Sequence, residues 1–193
     1  MKLIKPAIQK WEKLCRSNKF LFYLYARPYR KTIAREIALG GITGSDRVLN
    51  VGCGALPFTA FYLQKLSGAA VTAIDNDFRA VEQAFSCFSR LDSVCRVEFK
   101  VMDGKTAVKY QDFDVVLAAL QTDDKLKILQ QLHKYKSNRD WKFIVREPRS
   151  SFKGQYDYLP AEVVPADEVR QYFPTFDRSL LLTPDQKISR QVS

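Results

Sequence analysis

Histidine is nearly missing from this sequence, with His133 alone among 193 residues, and the four cysteines never form a C-x-x-C pair. Zinc sites need clustered thiolates and imidazoles at short spacings, so this pattern argues against one. Cys15, Cys53, Cys87 and Cys95 read as buried, reduced thiols of a cytosolic protein. No apolar run approaches the ~18 residues that a bilayer span requires. The opening MKLIKPAIQKWEKLC is broken by charges and lacks a secretory signal's hydrophobic stretch, so cytoplasm is the expected location. Repeats and low-complexity segments are also absent. Basic residues are in excess, 31 Lys plus Arg against 21 Asp plus Glu for a formal charge of +10, yet no run of five or six forms. That excess suits a polyanion, an anionic surface or an acidic small molecule, and equally a plain solvated surface.

What is present is an alternating pattern. Apolar stretches at 46–52, 69–75, 97–102, 113–120 and 141–148 read as strands, separated by helical segments at 57–67, 78–91 and 124–136 and a short helix or loop before 111. VLNV, FDVVLAAL and KFIV are continuous apolar runs, as strands covered on both faces should be. Strands joined by helices of about ten residues imply right-handed crossovers and a mostly parallel sheet with helices on both faces. SLLLTP, 179–184, is the candidate for an added edge strand. Ahead of the sheet, residues 3–15 carry an amphipathic stripe, 20–29 are rich in aromatics, and KTIAREIAL reads as another helix stopped by GGITGSD. The organisation expected is a helical extension over 1–39 and a Rossmann-like body over 40–193.

The loop GCGALPFT follows the first strand. Gly52 and Gly54 allow backbone to approach a ligand closely, and the next helix aims its N-terminal N–H groups at the same point. Pro57 suits a first helical position, where no N–H is needed. Leu56 stands where a dinucleotide loop keeps its third glycine, which argues against NAD. Asp75, at the tip of the second strand and 23 residues beyond Gly52, is placed for ribose hydroxyls. Asp77 is the better cap for the helix that follows, which leaves Asp75 for the ligand. Met102 and Asp103 end the third strand at the same sheet edge, where a carboxylate can take adenine's exocyclic amine.

VLNVGCG, VTAID, VMDG and FDVVLAAL resemble successive signature segments of class I S-adenosylmethionine (SAM)-dependent methyltransferases. The resemblance covers roughly residues 46 to 148. It implies a seven-stranded sheet and SAM, as co-substrate, held by Asn50, Gly52, Cys53, Gly54, Leu56, Pro57, Asp75, Asn76, Met102, Asp103 and Ala119. Asn50 departs from the acid that the family commonly carries there. GCGALPFT is similar, more narrowly, to the G-x-G-P-L-P-x-T loop of nicotianamine synthases, with Ala55 in place of the first proline. Those enzymes share the fold and move the aminocarboxypropyl arm of SAM. The likeness includes ARPYRKTIAREIAL, LHKY and the arginine of FIVREP. It implies that Tyr29 lines the substrate site and that Arg146 stands at the pocket mouth. Tyr29 and Glu12 are the candidates for relaying the acceptor's proton.

Other chemistries lack their residues. ALQTDD follows the fourth strand where a D/N-P-P-Y run would cradle a planar amine, and no cysteine stands there or after the fifth to attack a pyrimidine. The reading is a SAM-dependent transferase acting on a small molecule, by methyl or aminocarboxypropyl transfer. An RNA methyltransferase, with Arg27, Arg30, Lys31 and Arg35 as phosphate contacts, and a non-catalytic SAM-fold binding protein are the alternatives. Arg146 and Glu147 could pair with a substrate or with each other at the surface.

Overall fold

The computed structural model describes residues 19–91 and 96–186. The stripe over 3–15, with Glu12, lies outside the described residues, as do Cys15 and Cys95. The first described element, α1, Lys19–Gly40, merges the aromatic stretch and KTIAREIAL into one helix of 22 residues with Pro28 inside it. Proline has no N–H to offer the carbonyl four residues back, so the ladder loses a bond there. Burial carries the helix across the gap: Phe22, Ala26 and Ile33 are fully buried on its inner face. Its end is a Schellman turn. Gly41, at φ +56°, donates to Ala38 O and Ile42 to Ile37 O, at 3.2 and 2.9 Å.

Seven strands follow: β1 Arg47–Val51, β2 Ala70–Asp75, β3 Val97–Val101, β4 Val115–Ala118, β5 Lys142–Pro148, β6 Asp167–Arg170 and β7 Phe176–Leu182. They form one sheet in the order β3-β2-β1-β4-β5-β7-β6. β1 to β5 run parallel, while β7 is antiparallel to both β5 and β6. The crossovers carry α2 Phe58–Ser67, α3 Phe78–Phe88, α4 Gly104–Tyr110 and α5 Lys125–Tyr135. The strands expected from the apolar runs are present with slightly shorter ends. SLLLTP is corrected: it belongs to β7, which is inserted between β5 and β6 and is not an edge. The true edge, β6, reads DEVR and is mostly exposed, so it offers no apolar alternation to detect.

Alternation along the buried strands splits the core in two. Val48, Val115 and Ile144 pack with residues of α1, α2 and α3, whereas Leu49, Val116 and Phe143 pack with α4 and α5. The chain leaves β1 toward β2 and β3, then returns to β4 on the other side. Above β1 and β4 the connections diverge and open the crevice in which such sheets bind ligands.

Candidate active site

The turn after β1 is held by the neighbouring strand. The amides of Gly52 and Cys53 both donate to Ile74 O at 2.9 Å, and that of Gly54 donates to Asp75 Oδ2 at 2.9 Å. Gly52 and Gly54 lie at φ +76° and +62°, where a side chain is disfavoured. The two differ in surroundings. A Cβ on Gly52 would come within 2.7 Å of Thr122 Oγ1, whereas one on Gly54 would meet open space. Thr122 is itself fixed by donating to Val51 O at 3.0 Å. Helix α2 starts at Phe58, one residue later than Pro57 suggested; Pro57 is the cap residue, and its carbonyl accepts from Phe61 N at 2.9 Å.

Three carboxylates stand at the tips of β2 and β3. Asp77 caps α3 as expected, accepting from Arg79 N at 2.9 Å. Asp75 is not wholly free, because its oxygens accept from Gly54 N and Asp77 N. A carboxylate oxygen has two lone pairs, so one on each remains. Asp103 departs further from expectation. Its Oδ1 accepts from Lys105 N and Thr106 N at 2.9 and 3.2 Å, which caps α4. The helix is seven residues long, too short for its start to stand out in VMDGK. Lys105 Nζ lies 3.5 Å from Asp103 Oδ2 and 2.6 Å from Asp124 Oδ2, joining the start of α4 to that of α5.

These residues border two cavities. The first, about 360 Å³, is lined by Gly52, Asp75, Asn76, Met102, Asp103 and Thr122, among others. The second, about 310 Å³, is lined by Tyr29, Cys53, Gly54, Leu56, Ala119 and Arg146 from the expected set. They touch at Gly52 and Gln121, which line both. Two expected contacts line neither. Pro57 lies behind the loop, and Asn50 is fully buried in the sheet, with Nδ2 donating to Leu117 O at 3.4 Å.

The second cavity has an aromatic wall from distant parts of the chain. The Tyr29 ring lies 5.1 Å from Phe58 and 4.7 Å from Phe173, and Phe173 stacks on Phe176 at 4.7 Å. Tyr156 also faces it. Burial raises the Tyr29 phenol above its ordinary pKa, with Arg146 opposing, so it is neutral near pH 7. Burial, with the Asp75 charge adding to it, pushes the Cys53 thiol up to about 12, which makes it a lining group and not a nucleophile.

Arg146 lines the second cavity from a buried position and pairs with Glu36, not Glu147. Successive side chains of β5 point to opposite faces. Arg146 turns under α1, where Nε and Nη2 donate to Glu36 Oε1 and Oε2 at 2.8 Å each. Nη1 and Nη2 both reach Thr59 Oγ1 at 3.2 Å, and the guanidinium sits 5.4 Å from the Phe176 ring centre. Glu36 Oε1 also accepts from the Ser179 hydroxyl at 2.7 Å. Burial opposes the charge on Arg146 and Glu36 outweighs it. Glu147 faces the other core, where its carboxylate accepts from Leu159 N at 3.1 Å and is raised in pKa by burial. Sequence reasoning missed Glu36. The available signal was an acid on the apolar face of AREIAL, one turn beyond Ile33. Tyr156 and Phe173 gave no signal, because they lie in irregular segments, and Phe176 stands at the very start of β7, ahead of the apolar SLLL run.

Comparison with known proteins agrees with this architecture. Residues 48–136 match a family model described as a methyltransferase domain. An L-histidine 2-aminobutanoyltransferase of Yersinia pestis is 31% identical over 122 residues, which are 63% of this chain and 45% of that protein. The chain thus spans under half the length of this curated relative. MtNAS in complex with MTA and tNA has TM-score 0.74 and 18% identity, over 89% of this chain and 67% of that one. An RNA methyltransferase from Salinibacter ruber with S-adenosyl-L-homocysteine has TM-score 0.59 and 15% identity, over 84% and 96%. The sheet order, the loop and these likenesses together give this chain the Rossmann-like class I methyltransferase fold, and residues 48–136 within it are similar to a methyltransferase-domain model.

Proposed function

We propose that the protein is a SAM-dependent transferase that moves the aminocarboxypropyl arm of SAM to a small acceptor. The observation that carries this reading is the pair of cavities meeting at Gly52 and Gln121. An adenosyl group in the first would set its ribose hydroxyls against the spare lone pairs of Asp75, with its base beside Asn76 and Met102. The sulfonium and its arm would cross the Gly52 backbone into the second. A backbone bearing a side chain at Gly52 would block that crossing.

In the transfer, an acceptor nitrogen attacks the arm's terminal carbon, the carbon–sulfur bond breaks, and its electrons return to sulfur. Methylthioadenosine leaves as a neutral thioether, and the nitrogen gives up one proton. Tyr29, a neutral phenol in the aromatic wall, accepts a hydrogen bond from the acceptor N–H and passes a proton outward. Glu12, outside the described residues, is the second candidate for taking that proton. Arg146 is tied to Glu36 and Thr59, so its part is to hold α1, and with it Tyr29, over the cavity. The wall and a volume of about 310 Å³ favour a compact acceptor. The name of the Yersinia pestis relative, an aminobutanoyl transfer to L-histidine, points the same way.

RNA is the second reading, and the observation in its favour is that Arg27, Arg30 and Lys31 are exposed on α1. Phosphate contacts there would give retention on RNA that falls steeply with salt. Among the described residues no helix is long and apolar enough to cross a membrane.

One incubation with SAM and a panel of the standard amino acids, L-histidine included, separates the readings by sulfur product. Methylthioadenosine formed only with an acceptor is the expected result. S-adenosylhomocysteine would replace arm transfer by methyl transfer, and no product together with no SAM binding would leave a non-catalytic scaffold.

A further inference from the structure

Lys125 is a charged residue placed where charge is costly. Its side chain is fully buried at the start of α5, on the far side of the sheet from Arg146. Nζ donates to Leu120 O at 2.9 Å and to Asp157 O. Its own backbone N–H donates to Asp157 Oδ2 at 2.7 Å, so one lysine grips Asp157 at two points. The same stretch is held again two residues on, where Glu147 accepts from Leu159 N.

The two carbonyls lie at or beside separate lining residues of the second cavity. Leu120 lines it and precedes Gln121, the residue shared with the first cavity, while Asp157 follows Tyr156. Nothing between residues 149 and 166 is strand or α-helix, so that segment has no ladder of its own to fix Tyr156. Burying an ammonium for packing alone is unfavourable, since an apolar side chain of that length would fill the space without a desolvation cost. An ammonium supplies what the apolar chain cannot, several donors diverging from one point.

We propose that Lys125 is a positioning residue, clasping the loop after β4 to the segment after β5 so that Gln121 and Tyr156 face each other across the acceptor cavity. The naming of that cavity rests on the transferase reading; the clasp itself does not.

The test is Lys125→Met in the full chain, read by hydrogen exchange, SAM calorimetry and turnover with whichever amino acid of the panel reacts. The expected result is amide exchange at least tenfold faster within residues 120–122 and 156–159. The melting temperature should stay level or rise, and SAM affinity should stay within about twofold. Acceptor KM should rise at least tenfold. A lysine needed only for stability would instead lower the melting temperature and speed exchange throughout the chain, and that overturns the proposal. So would unchanged exchange in the two stretches. Should Lys125→Met fail to fold, Asp157→Ala loosens the clasp from its other side and must speed exchange in the same two stretches. If wild-type protein makes no sulfur product with any acceptor, the transferase reading falls while the exchange pattern still decides the clasp.

Discussion

The two halves of the site are built in opposite ways. The cavity beside Asp75 is made from consecutive strand tips, and its parts come from short motifs between Val51 and Ile128. The cavity beside Tyr29 draws on α1, the turn after β1, β5, and the segments around β6 and β7. The first is held by backbone amides donating to Ile74 O and Asp75. The second is held by buried charge: Glu36 with Arg146 on one face of the sheet, Lys125 with two carbonyls on the other. Local geometry suffices for a shared nucleoside, whereas a specific acceptor is enclosed by long-range contacts that can differ between proteins of one fold.

That contrast makes the charge-held half the more fragile. The largest effect is expected from Glu36→Gln, which leaves Arg146 buried without its counter-charge and should lower unfolding free energy by about 3–5 kcal/mol in urea. Replacing both, Glu36→Met with Arg146→Met, should recover most of that stability without restoring turnover. Recovery of turnover would show that the pair does not hold Tyr29 in place. Next, Asp75→Ala removes a charged acceptor and should weaken SAM binding by about 1.5–3 kcal/mol, roughly ten- to a hundredfold by calorimetry, and should also lower the melting temperature, because the Gly54 and Asp77 amides lose their acceptor.

The glycines sharpen the comparison within the nucleoside half. Gly54→Ala meets no neighbour, so its cost should be the left-handed backbone alone, about 1–2 kcal/mol. Gly52→Ala carries the same strain plus the approach to Thr122, and should cost more and lower SAM affinity as well. Equal losses would mean that the Thr122 contact relaxes freely.

The most gradual effect concerns pH. Burial pushes Lys125 down to about 8, with Asp157, Glu147 and Asp123 opposing. Below that value folded and unfolded chains both carry the proton and the burial penalty is present in full. Between about 8 and the ordinary lysine range the unfolded chain holds more protons, so stability rises with pH, by at most ~1.4 kcal/mol per unit. Urea titrations from about pH 7.5 to 10 should show this rise relative to Lys125→Met, in which it is absent.

How much was legible in the sequence follows the same division. VLNVGCG and VTAID declared the glycine turn and the carboxylate at the tip of β2 because glycine and a strand-end acid are meaningful where they stand. FDVVLAAL and KFIV declared buried strands through unbroken apolar runs. Asp103 was placed correctly at the strand tip, but the sequence MDGKT does not distinguish a carboxylate that caps the next helix, as Asp103 does, from one left for a ligand. Arg146 was assigned to the pocket mouth because sequence shows its neighbour Glu147 and not its partner 110 positions away on α1. The edge strand DEVR and the irregular stretch bearing Tyr156 carry no periodicity, and their positions depend on the sheet being assembled first.

The central claim is that one SAM molecule bridges the two cavities across Gly52, and co-crystallisation with SAM tests it most directly. The account predicts density with both ribose hydroxyls within hydrogen-bond distance of Asp75 and the methionine arm running past Gly52 toward Tyr29 and Tyr156. Density confined to the Asp75 side, with the arm turned back and the aromatic cavity closed by its own side chains, would contradict it.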